Sequence, residues 1–370
     1  MNNAAAELGF SRFGRNKIND SLEKLTNPSG GSCRQTRHRG LWNGLLFAIV
    51  LLVGFQSPSY GLSDATQPAR PSVKIAFIGD QGVGRGAREV LRLISAEKAD
   101  ALMHQGDMTY GETPSACENQ LNQILGRDFP YFLTIGNHEM VELRHSLIFG
   151  KQPSLWYRPG GFHDRYSARL RRLSIPFSGD PGVKAHIRYR GLSIVQVAPG
   201  IAEIPQDNYE AYIDAQFKSD RSTWRICSWH QNQRDMQVGD KPDQTGWGVY
   251  EACGRAGAII ATAHEHSYSR TKLLSNFSHK RIVDTGAKLI VKPGQTFAFV
   301  SGLGGRSIRP QKQFDQPWQA VIYTKTQGAN FGALFGVFGV NGRDDLAHFY
   351  FKTIDGLIVD DFWVERVIDR

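Results

Sequence analysis

The 370-residue sequence has few of the features that mark specialised protein classes. It contains only four cysteines, which excludes a disulfide-rich scaffold. Its basic residues do not alternate with aromatic ones in any run, so the sequence does not indicate nucleic-acid binding, and no internal repeat or low-complexity tract occurs. With 41% hydrophobic and 21% charged residues, the composition is that of an ordinary globular protein with a large core.

Long hydrophobic runs are also scarce, and the one at residues 41–55 follows a polar segment with scattered basic charge. As a helix this run is about 22 Å long at ~1.5 Å per residue, shorter than the roughly 30 Å of a bilayer's hydrocarbon core. We interpret residues 1–65 as a basic segment plus a secretory signal peptide, cleaved near Gly61 or Ala65. An uncleaved signal anchor is the alternative, with residues 41–55 as the membrane contact. Both place residues 66–370 outside the cytoplasm, in the periplasm or secreted.

The few cysteines leave the disulfide question open. Cys33 lies in the signal segment, so Cys117, Cys227 and Cys253 remain. Cys227 lies near the end of a predicted strand and Cys253 on the next predicted helix, which makes them the favoured pair. Buried free thiols are the alternative.

The formal net charge is +9, and residues 1–40 contribute part of it. The mild positive excess that remains on residues 66–370 suits an anionic substrate. A solvated basic surface explains the same excess without any partner. Net charge therefore does not decide what the protein binds.

Five polar blocks each follow a short apolar run that predicts a β-strand. A helical pattern at residues 86–99 lies between the first two runs, so we predict a parallel α/β sheet whose ligands bind at the carboxyl ends of the strands. The blocks are Gly79-Asp80-Gln81-Gly82, Gly106-Asp107-Met108-Thr109-Tyr110, Gly136-Asn137-His138-Glu139, Trp229-His230 and His264-Glu265-His266.

The side chains of these blocks are typical metal ligands. A lone Gly-Asp or a lone His usually has a structural role, but carboxylate, amide and imidazole donors at five strand ends together predict a site for two metal ions. Asp107 has two oxygens and is the natural bridging ligand. His264 and His266 lie two residues apart, so in an extended strand both face one side. The phenol of Tyr110, with a pKa near ~10, favours a strongly Lewis-acidic ion such as Fe(III).

Taken together, the blocks resemble the five motifs of the calcineurin-like metallophosphoesterases, and specifically those of the purple acid phosphatase branch. Most other branches have a metal-binding His where this sequence has Gly82, and Tyr110 is typical of the purple acid phosphatases. Three departures occur. Ala263 replaces the Gly that begins the last motif, and Cys227, three residues before His230, replaces a common Val. Gln231-Asn232-Gln233-Arg234 stands where some relatives have substrate-pocket histidines.

The resemblance implies a role for each motif residue. Asp80, Tyr110 and His266 would bind Fe(III), and Asn137, His230 and His264 would bind a divalent Fe, Zn or Mn ion. Asp107 would bridge the two ions. His138 would contact the phosphate and protonate the leaving oxygen, and Glu139 would orient that imidazole. Arg234 is a candidate phosphate contact, with a plain surface position as the alternative.

The resemblance also implies a single catalytic domain at residues 66–370, folded as a four-layer α/β/β/α sandwich with the metals at one edge. The N-terminal β-sandwich domain of many relatives is not expected here. Residues 155–190 predict only irregular structure with short strands, and the C-terminal part predicts antiparallel hairpins. Trp156, Tyr157 and His163 are candidate substrate contacts or packing residues.

The function implied is hydrolysis of small phosphate monoesters by attack of a metal-bound hydroxide, as in acid phosphatases. A phosphodiesterase or nucleotidase that uses the same centre is one alternative. An exported binding protein without catalysis is another, and a membrane-anchored scaffold is a third. The physiological ester is not indicated by the sequence.

Overall fold

The computed structural model describes residues 72–140, 154–202, 208–284 and 288–367. The predicted signal segment, with its apolar run at residues 41–55, lies outside these ranges. No helix within them is both long and apolar enough to span a bilayer.

The strands follow the apolar runs of the sequence, because alternate residues of each run can be buried on the two faces of a sheet. Helices form where apolar residues recur at helical spacing, as with Val90, Leu91 and Ile94 in the first of them. The strands are β1 (Val73–Ile78), β2 (Ala101–His104), β3 (Tyr131–Leu133), β4 (Phe177–Asp180), β5 (Lys184–Tyr189), β6 (Leu192–Val197), β7 (Trp224–Ser228), β8 (Ile259–Thr262), β9 (Tyr268–Thr271), β10 (Leu273–Asn276), β11 (Arg281–Asp284), β12 (Lys288–Val291), β13 (Ala298–Ser301), β14 (Gln319–Tyr323), β15 (Gly332–Phe338), β16 (Leu346–Thr353) and β17 (Ile358–Arg366). The α-helices are α1 (Arg85–Ala96), α2 (Pro114–Leu125), α3 (Asn137–Met140), α4 (Phe162–Arg172), α5 (Tyr209–Lys218) and α6 (Gly248–Arg255).

Two large mixed sheets organise these elements. The first has the order β12-β17-β16-β15-β1-β2-β3, and the second has the order β14-β9-β13-β8-β7-β6-β5-β4. In the first sheet β1, β2 and β3 run parallel, and in the second β6, β7, β8 and β13 run parallel. The strands that precede the five polar blocks are therefore the parallel ones, as predicted. The predicted C-terminal hairpins are confirmed as β15, β16 and β17.

The two sheets pack face to face through buried aromatic rings. The ring of Phe77 in the first sheet lies 5.2 Å from that of Phe299 in the second, at 81°, and Phe351 stacks on Tyr268 at 4.2 Å. Edge-to-face and stacked pairs of this kind contribute beyond the area they bury. Helix α1 contacts the first sheet, and α5 and α6 contact the second. The predicted four-layer α/β/β/α sandwich is confirmed.

A buried ion pair also joins the sheets. Asp360 on β17 accepts hydrogen bonds from the Tyr268 hydroxyl at 2.6 Å and from two guanidinium nitrogens of Arg270 at 2.7 and 3.0 Å. Tyr268 and Arg270 lie on β9, directly after the last polar block. Removing one partner of such a buried pair leaves an uncompensated charge, which typically costs about 3–5 kcal/mol. The pair therefore fixes the second sheet against the first close to the predicted metal site.

The short strands predicted within residues 155–190 are confirmed as β4 and β5, but the prediction that the rest is irregular is wrong, because this region also contains helix α4. Phe162, Tyr166 and Leu170 recur every four residues and are buried. The helix also carries four arginines, so the apolar periodicity is hard to detect in the sequence. One of them, Arg169, is itself fully buried, with its guanidinium 4.6 Å from the ring centroid of Tyr131. Helix α2 was likewise not predicted.

The structure joins Cys227 on β7 to Cys253 on α6 in a disulfide, the pairing that the sequence favoured. Cys117 is a buried free thiol. The disulfide fixes the strand that leads into His230 to the helix behind it. Cross-links that close a loop of this size stabilise a protein by about 3 kcal/mol in the chain-entropy description.

Candidate metal centre

Three of the predicted ligands have a left-handed backbone. The φ angles of Asp80, Asp107 and His264 are 58°, 55° and 69°. Each residue comes shortly after a parallel strand, where the chain must turn sharply. A non-glycine residue in this conformation costs on the order of 1 kcal/mol or more, and such strain concentrates at functional sites. Three strained residues at one sheet edge therefore mark a candidate site independently of the motifs.

Asp80, Tyr110 and His266 form a first donor set. The Tyr110 hydroxyl lies 3.0 Å from Oδ1 of Asp80 and 3.2 Å from Nε2 of His266, and Nε2 of His266 lies 3.3 Å from Oδ1 of Asp80. Nδ1 of His266 contacts the Ser307 hydroxyl at 2.6 Å, which fixes the orientation of the ring. A carboxylate oxygen, a phenol oxygen and an imidazole nitrogen thus converge on a common point.

Asp107, Asn137, His230 and His264 form a second donor set. Nε2 of His230 lies 3.3 Å from Oδ2 of Asp107, 3.2 Å from Oδ1 of Asn137 and 3.0 Å from Nδ1 of His264. Nδ1 of His230 lies 2.6 Å from the carbonyl oxygen of Gln105. Because a carbonyl oxygen only accepts, Nδ1 donates to it, and Nε2 is the ring atom that faces the other donors. The potential ligand atoms of Asp107, His230 and His264 all lie within 4.8 Å of one another.

Burial and local charges set the protonation of these donors. Burial alone would raise the pKa of the Asp80 carboxyl, but His266 beside it holds the pKa well below its usual range. Burial and the neighbouring His230 lower the pKa of His264 strongly, so its imidazole is neutral. Burial, Asp80 and Asp107 raise the pKa of the Tyr110 phenol. The donors of each set share hydrogen bonds, as the Tyr110 hydroxyl does with Asp80 at 3.0 Å. A cation that displaces the shared protons would meet oxygen and nitrogen lone pairs, so both donor sets fit metal ions.

His264 and His266 serve different donor sets, but not for the reason that the sequence suggested. The prediction placed both in an extended strand, whereas β8 ends at Thr262 and His264 adopts the left-handed conformation. The backbone N–H of His264 donates to Oδ2 of Asp80 at 2.8 Å, which holds this turn against the first donor set. The turn, and not strand alternation, points the two rings at separate sets.

His138 lies beside the two sets without belonging to either. Its side chain is 38% exposed, and its Nε2 is 3.8 Å from Oδ2 of Asp107. Its ring packs 4.2 Å from the ring of Tyr110. Partial burial lowers the pKa of the imidazole. The backbone N–H of the same residue donates to Oδ1 of Asp107 at 2.9 Å, so His138 also positions a predicted ligand.

Glu139 bonds to the backbone of two motif loops. Its buried carboxylate accepts the N–H groups of Gly136 at 2.6 Å, Asp107 at 3.0 Å and Thr109 at 3.1 Å. Burial and the nearby Asp107 raise the pKa of this carboxyl to about 7. Among the described residues no hydrogen bond joins it to the His138 ring, so its predicted role in orienting that imidazole stays a prediction. The observed contacts make it a link between the second and third motifs.

The site includes basic residues that the sequence analysis did not select. The predicted contact Arg234 is exposed on the 3₁₀ helix Arg234–Met236, and within the described ranges its guanidinium has no contact with either donor set. Lys241 instead donates from Nζ to the carbonyl oxygen of His264, and Arg306 places its guanidinium 4.6 Å from the Tyr110 ring centroid. Burial lowers the pKa of Lys241 to about 8. The glycine-rich turn Ser301–Gly305 could have indicated Arg306, since glycine-rich loops approach ligands closely.

One departure from the family motif has a structural counterpart. A Cβ atom on Gly79 would lie 2.3 Å from the Cβ of Ala263, closer than two carbons can approach. We expect Gly79→Ala to destabilise the protein by about 1–3 kcal/mol and to weaken metal binding, because Ala263 adjoins His264. Thermal unfolding and metal content measure both effects.

The matched test is the double variant Gly79→Ala with Ala263→Gly. It removes the methyl group of residue 263 while adding one at residue 79, so the two no longer clash. It should recover most of the lost stability. Gly84→Ala is the control, since a Cβ there meets nothing within 4 Å. If the double variant is no more stable than Gly79→Ala alone, the contact does not explain the motif change.

A two-sheet sandwich with oxygen and imidazole donors at one edge fits the class of metal-dependent phosphoesterases, and a family comparison agrees. The chain belongs to the calcineurin-like phosphoesterase family, whose model matches residues 73–268. That range includes all five polar blocks. No curated protein matches the chain.

Solved structures support the fold. The chain is similar to the purple acid phosphatase PPD1 from yellow lupin (Lupinus luteus) seeds, with 14% identity and a TM-score of 0.55 over 81% of this chain and 55% of that one. It therefore spans about half the length of the lupin enzyme. It is also similar to GAP50, the anchor in the inner membrane complex of Plasmodium, with 9% identity and a TM-score of 0.50 over 81% of this chain and 90% of that one. At these identities the likeness concerns the fold alone.

Proposed function

We propose that the protein is a dinuclear-metal phosphatase of the purple acid phosphatase type that hydrolyses small phosphate monoesters. The observation that carries this proposal is the convergence of seven donors in two adjacent sets, with a phenol in the first set. A carboxylate, a phenol and an imidazole suit Fe(III), whereas an amide oxygen with two imidazoles suits a divalent Fe, Zn or Mn ion. Asp107 belongs to the second set, and we propose that its carboxylate is the ligand shared by the two metal ions.

The chain's own residues would divide the remaining tasks. Two bound cations would supply Lewis-acid stabilisation of the phosphate and a nucleophile at working pH. His138 is proposed to donate a proton from its partly exposed ring to the leaving oxygen, since it adjoins Asp107 without filling a donor position. Asn137 and the His138 N–H hold the geometry around Asp107. Glu139 keeps the two loops together, so that the donors need little rearrangement.

The direct test is metal analysis combined with a visible absorption spectrum. A phenolate bound to Fe(III) absorbs visible light by charge transfer, so the purified protein should contain iron and be coloured. Tyr110→Phe should remove the visible band while the second metal is retained. Tyr157→Phe, which changes an exposed tyrosine in the turn before α4, should leave the visible spectrum unaltered. A colourless, iron-free protein that still hydrolyses esters would contradict the iron assignment.

Substrate comparison tests the choice of monoester. Phenyl phosphate should be hydrolysed faster than a matched diester at equal concentration. A preference for the diester would favour the phosphodiesterase alternative. Undetectable hydrolysis of both by metal-replete protein would favour a binding or scaffolding role, which the complete set of donors argues against.

We also propose that the protein is exported from the cytoplasm. The segment at residues 41–55 motivates this proposal, and the disulfide between Cys227 and Cys253 supports it, because disulfides persist in oxidising compartments. N-terminal sequencing of the exported protein distinguishes cleavage near Gly61 or Ala65 from a retained anchor. Recovery of the protein solely from the cytoplasm would contradict export.

A further inference from the structure

The segment that follows β13 is held against both ends of the first donor set. The N–H of Arg306 donates to the carbonyl oxygen of Asp80 at 3.0 Å, and the N–H of Arg309 donates to that of His266 at 2.9 Å. Between them the Ser307 hydroxyl contacts Nδ1 of His266 at 2.6 Å. The backbone of residues 306–309 is therefore fixed at the edge of the site, which limits where the two arginine side chains can reach.

Three basic side chains lie beside the loops that carry the donor sets. They are Lys241, Arg306 and Arg309, and we call them the cationic rim. Arg306 is exposed and lies over the ring of Tyr110. The Arg309 side chain is 40% exposed, with Nη1 at 3.5 Å from Oε2 of Glu265. Lys241 comes from a different loop and reaches the carbonyl oxygen of His264. Each cation is thus anchored to a loop that carries a predicted ligand.

Two nearby acidic residues offset part of this positive charge, because Glu265 pairs with Arg309 at 3.5 Å and Glu112 interacts electrostatically with Arg306. Glu112 accepts the N–H of Tyr110 at 2.7 Å and the Thr109 hydroxyl at 3.1 Å, so its carboxylate is bound inward. Glu265 is buried, and Gly239 packs directly against its carboxylate. In the contacts of the described residues, Lys241 uses one of its three N–H donors. The rim therefore offers charged donors to a further anion.

We propose that the cationic rim binds a second phosphate group of the substrate, so that phosphoanhydrides are preferred over esters with an uncharged leaving group. This inference rests on the proposed phosphatase function. The two proposed metal cations would already balance the phosphoryl group under attack. The rim adds three cations against the two carboxylates of Glu112 and Glu265, so a net positive charge and further N–H donors of Lys241 remain for a second anionic group. Hydrolysis of pyrophosphate consumes one water and nothing else. The water oxygen bonds to the attacked phosphorus, the P–O bond to the leaving phosphate breaks, a proton from the water goes to the released oxygen, and two phosphates result.

Inorganic pyrophosphate and phenyl phosphate are suitable probes, because they differ in the charge of the leaving group. For the metal-replete protein, kcat/KM should be higher for pyrophosphate. Lys241→Met and Arg309→Gln should each raise KM for pyrophosphate about tenfold, the effect expected for losing one charged hydrogen bond. In each variant KM for phenyl phosphate should rise less than KM for pyrophosphate, so that the preference for pyrophosphate, as a ratio of kcat/KM values, falls. Lys218→Met and Arg92→Gln remove the same charges from exposed helix positions and serve as controls.

Equilibrium binding gives a readout that does not depend on turnover. Calorimetry with imidodiphosphate, a non-hydrolysable pyrophosphate analogue, should show about tenfold weaker binding to each rim variant. Metal content and the unfolding temperature of each variant identify any that are misfolded, and Lys241→Arg should retain binding where Lys241→Met does not. Unchanged imidodiphosphate affinity, or equal KM increases for both substrates, would overturn the proposal. If neither substrate is hydrolysed, the phosphatase function fails, while the binding measurement still decides the role of the rim.

Discussion

Asp107→Asn is expected to lower kcat/KM by about a thousandfold or more and to reduce the bound metal. Oδ2 of Asp107 faces His230 at 3.3 Å, and its Oδ1 accepts the N–H of His138 at 2.9 Å. Asparagine has the same size and can keep the bond to His138, so the substitution removes chiefly the negative charge. A neutral amide cannot offset the repulsion between two neighbouring cations. Elemental analysis and steady-state kinetics measure the two losses.

The stability of this variant separates a lost ligand from a damaged fold. With metals removed by a chelator, Asp107→Asn should unfold at or above the temperature of the wild-type protein, because a buried carboxylate has become neutral. With metals supplied, the wild type should gain stability and the variant should gain little. Asp344→Asn, at an exposed position between β15 and β16, is the charge-matched control. Full activity and two metals per chain in the variant would rule out a bridging role for Asp107.

His138→Ala is expected to lower kcat by about 10²- to 10⁴-fold for an ester with a poor leaving group. The side chain lies outside both donor sets, and its backbone N–H bond to Asp107 survives the substitution, so the metal content should not change. Protonation matters little when the leaving group is a stable anion. The loss should therefore be much smaller for p-nitrophenyl phosphate than for an alkyl phosphate.

The comparison of leaving groups decides how His138 acts. An equal loss for both esters would mean that the ring binds the phosphate and does not donate a proton. His348→Ala is a suitable control, because this histidine is also partly exposed, contacts Asp361 at 2.9 Å and lies on β16 level with the first residues of β1, away from the strand ends that carry the donors. Its kcat should stay within about threefold of the wild type, as expected for a change away from the reacting atoms.

The sequence predicted the strands and their polar ends well, because both depend on local patterns. A buried parallel strand needs a continuous apolar run, and the ligands must follow it immediately, so Asp80, Asp107 and His230 could be located from spacing alone. The left-handed turn at His264 could not, since nothing in the residue type requires it. Helix α4 was not predicted, because an arginine in a sequence usually indicates an exposed position, whereas Arg169 is buried and belongs to the packed face of the helix.

The rim cations illustrate a different limit. Lys241 lies in a loop without any periodic pattern, and its proximity to His264 arises from tertiary folding. Arg234 is closer to His230 along the chain, yet it points to an exposed surface. Distance along the sequence is therefore a poor guide to loop residues, whereas it is a good guide to residues at the end of a strand.

The three hydrogen bonds of Glu139 have a consequence for how the protein matures. Within the part of the chain that the structure describes, the hydrogen-bond donors to its carboxylate are backbone N–H groups, so these contacts between the second and third ligand loops need no metal ion. Folding and metal acquisition can then occur as separate events, in different compartments or at different times. In the proposed dinuclear centre, the metal ions available at the moment of loading, together with their inherent affinity order, would then select the ions that are bound. The same polypeptide would then acquire different metal pairs in different environments.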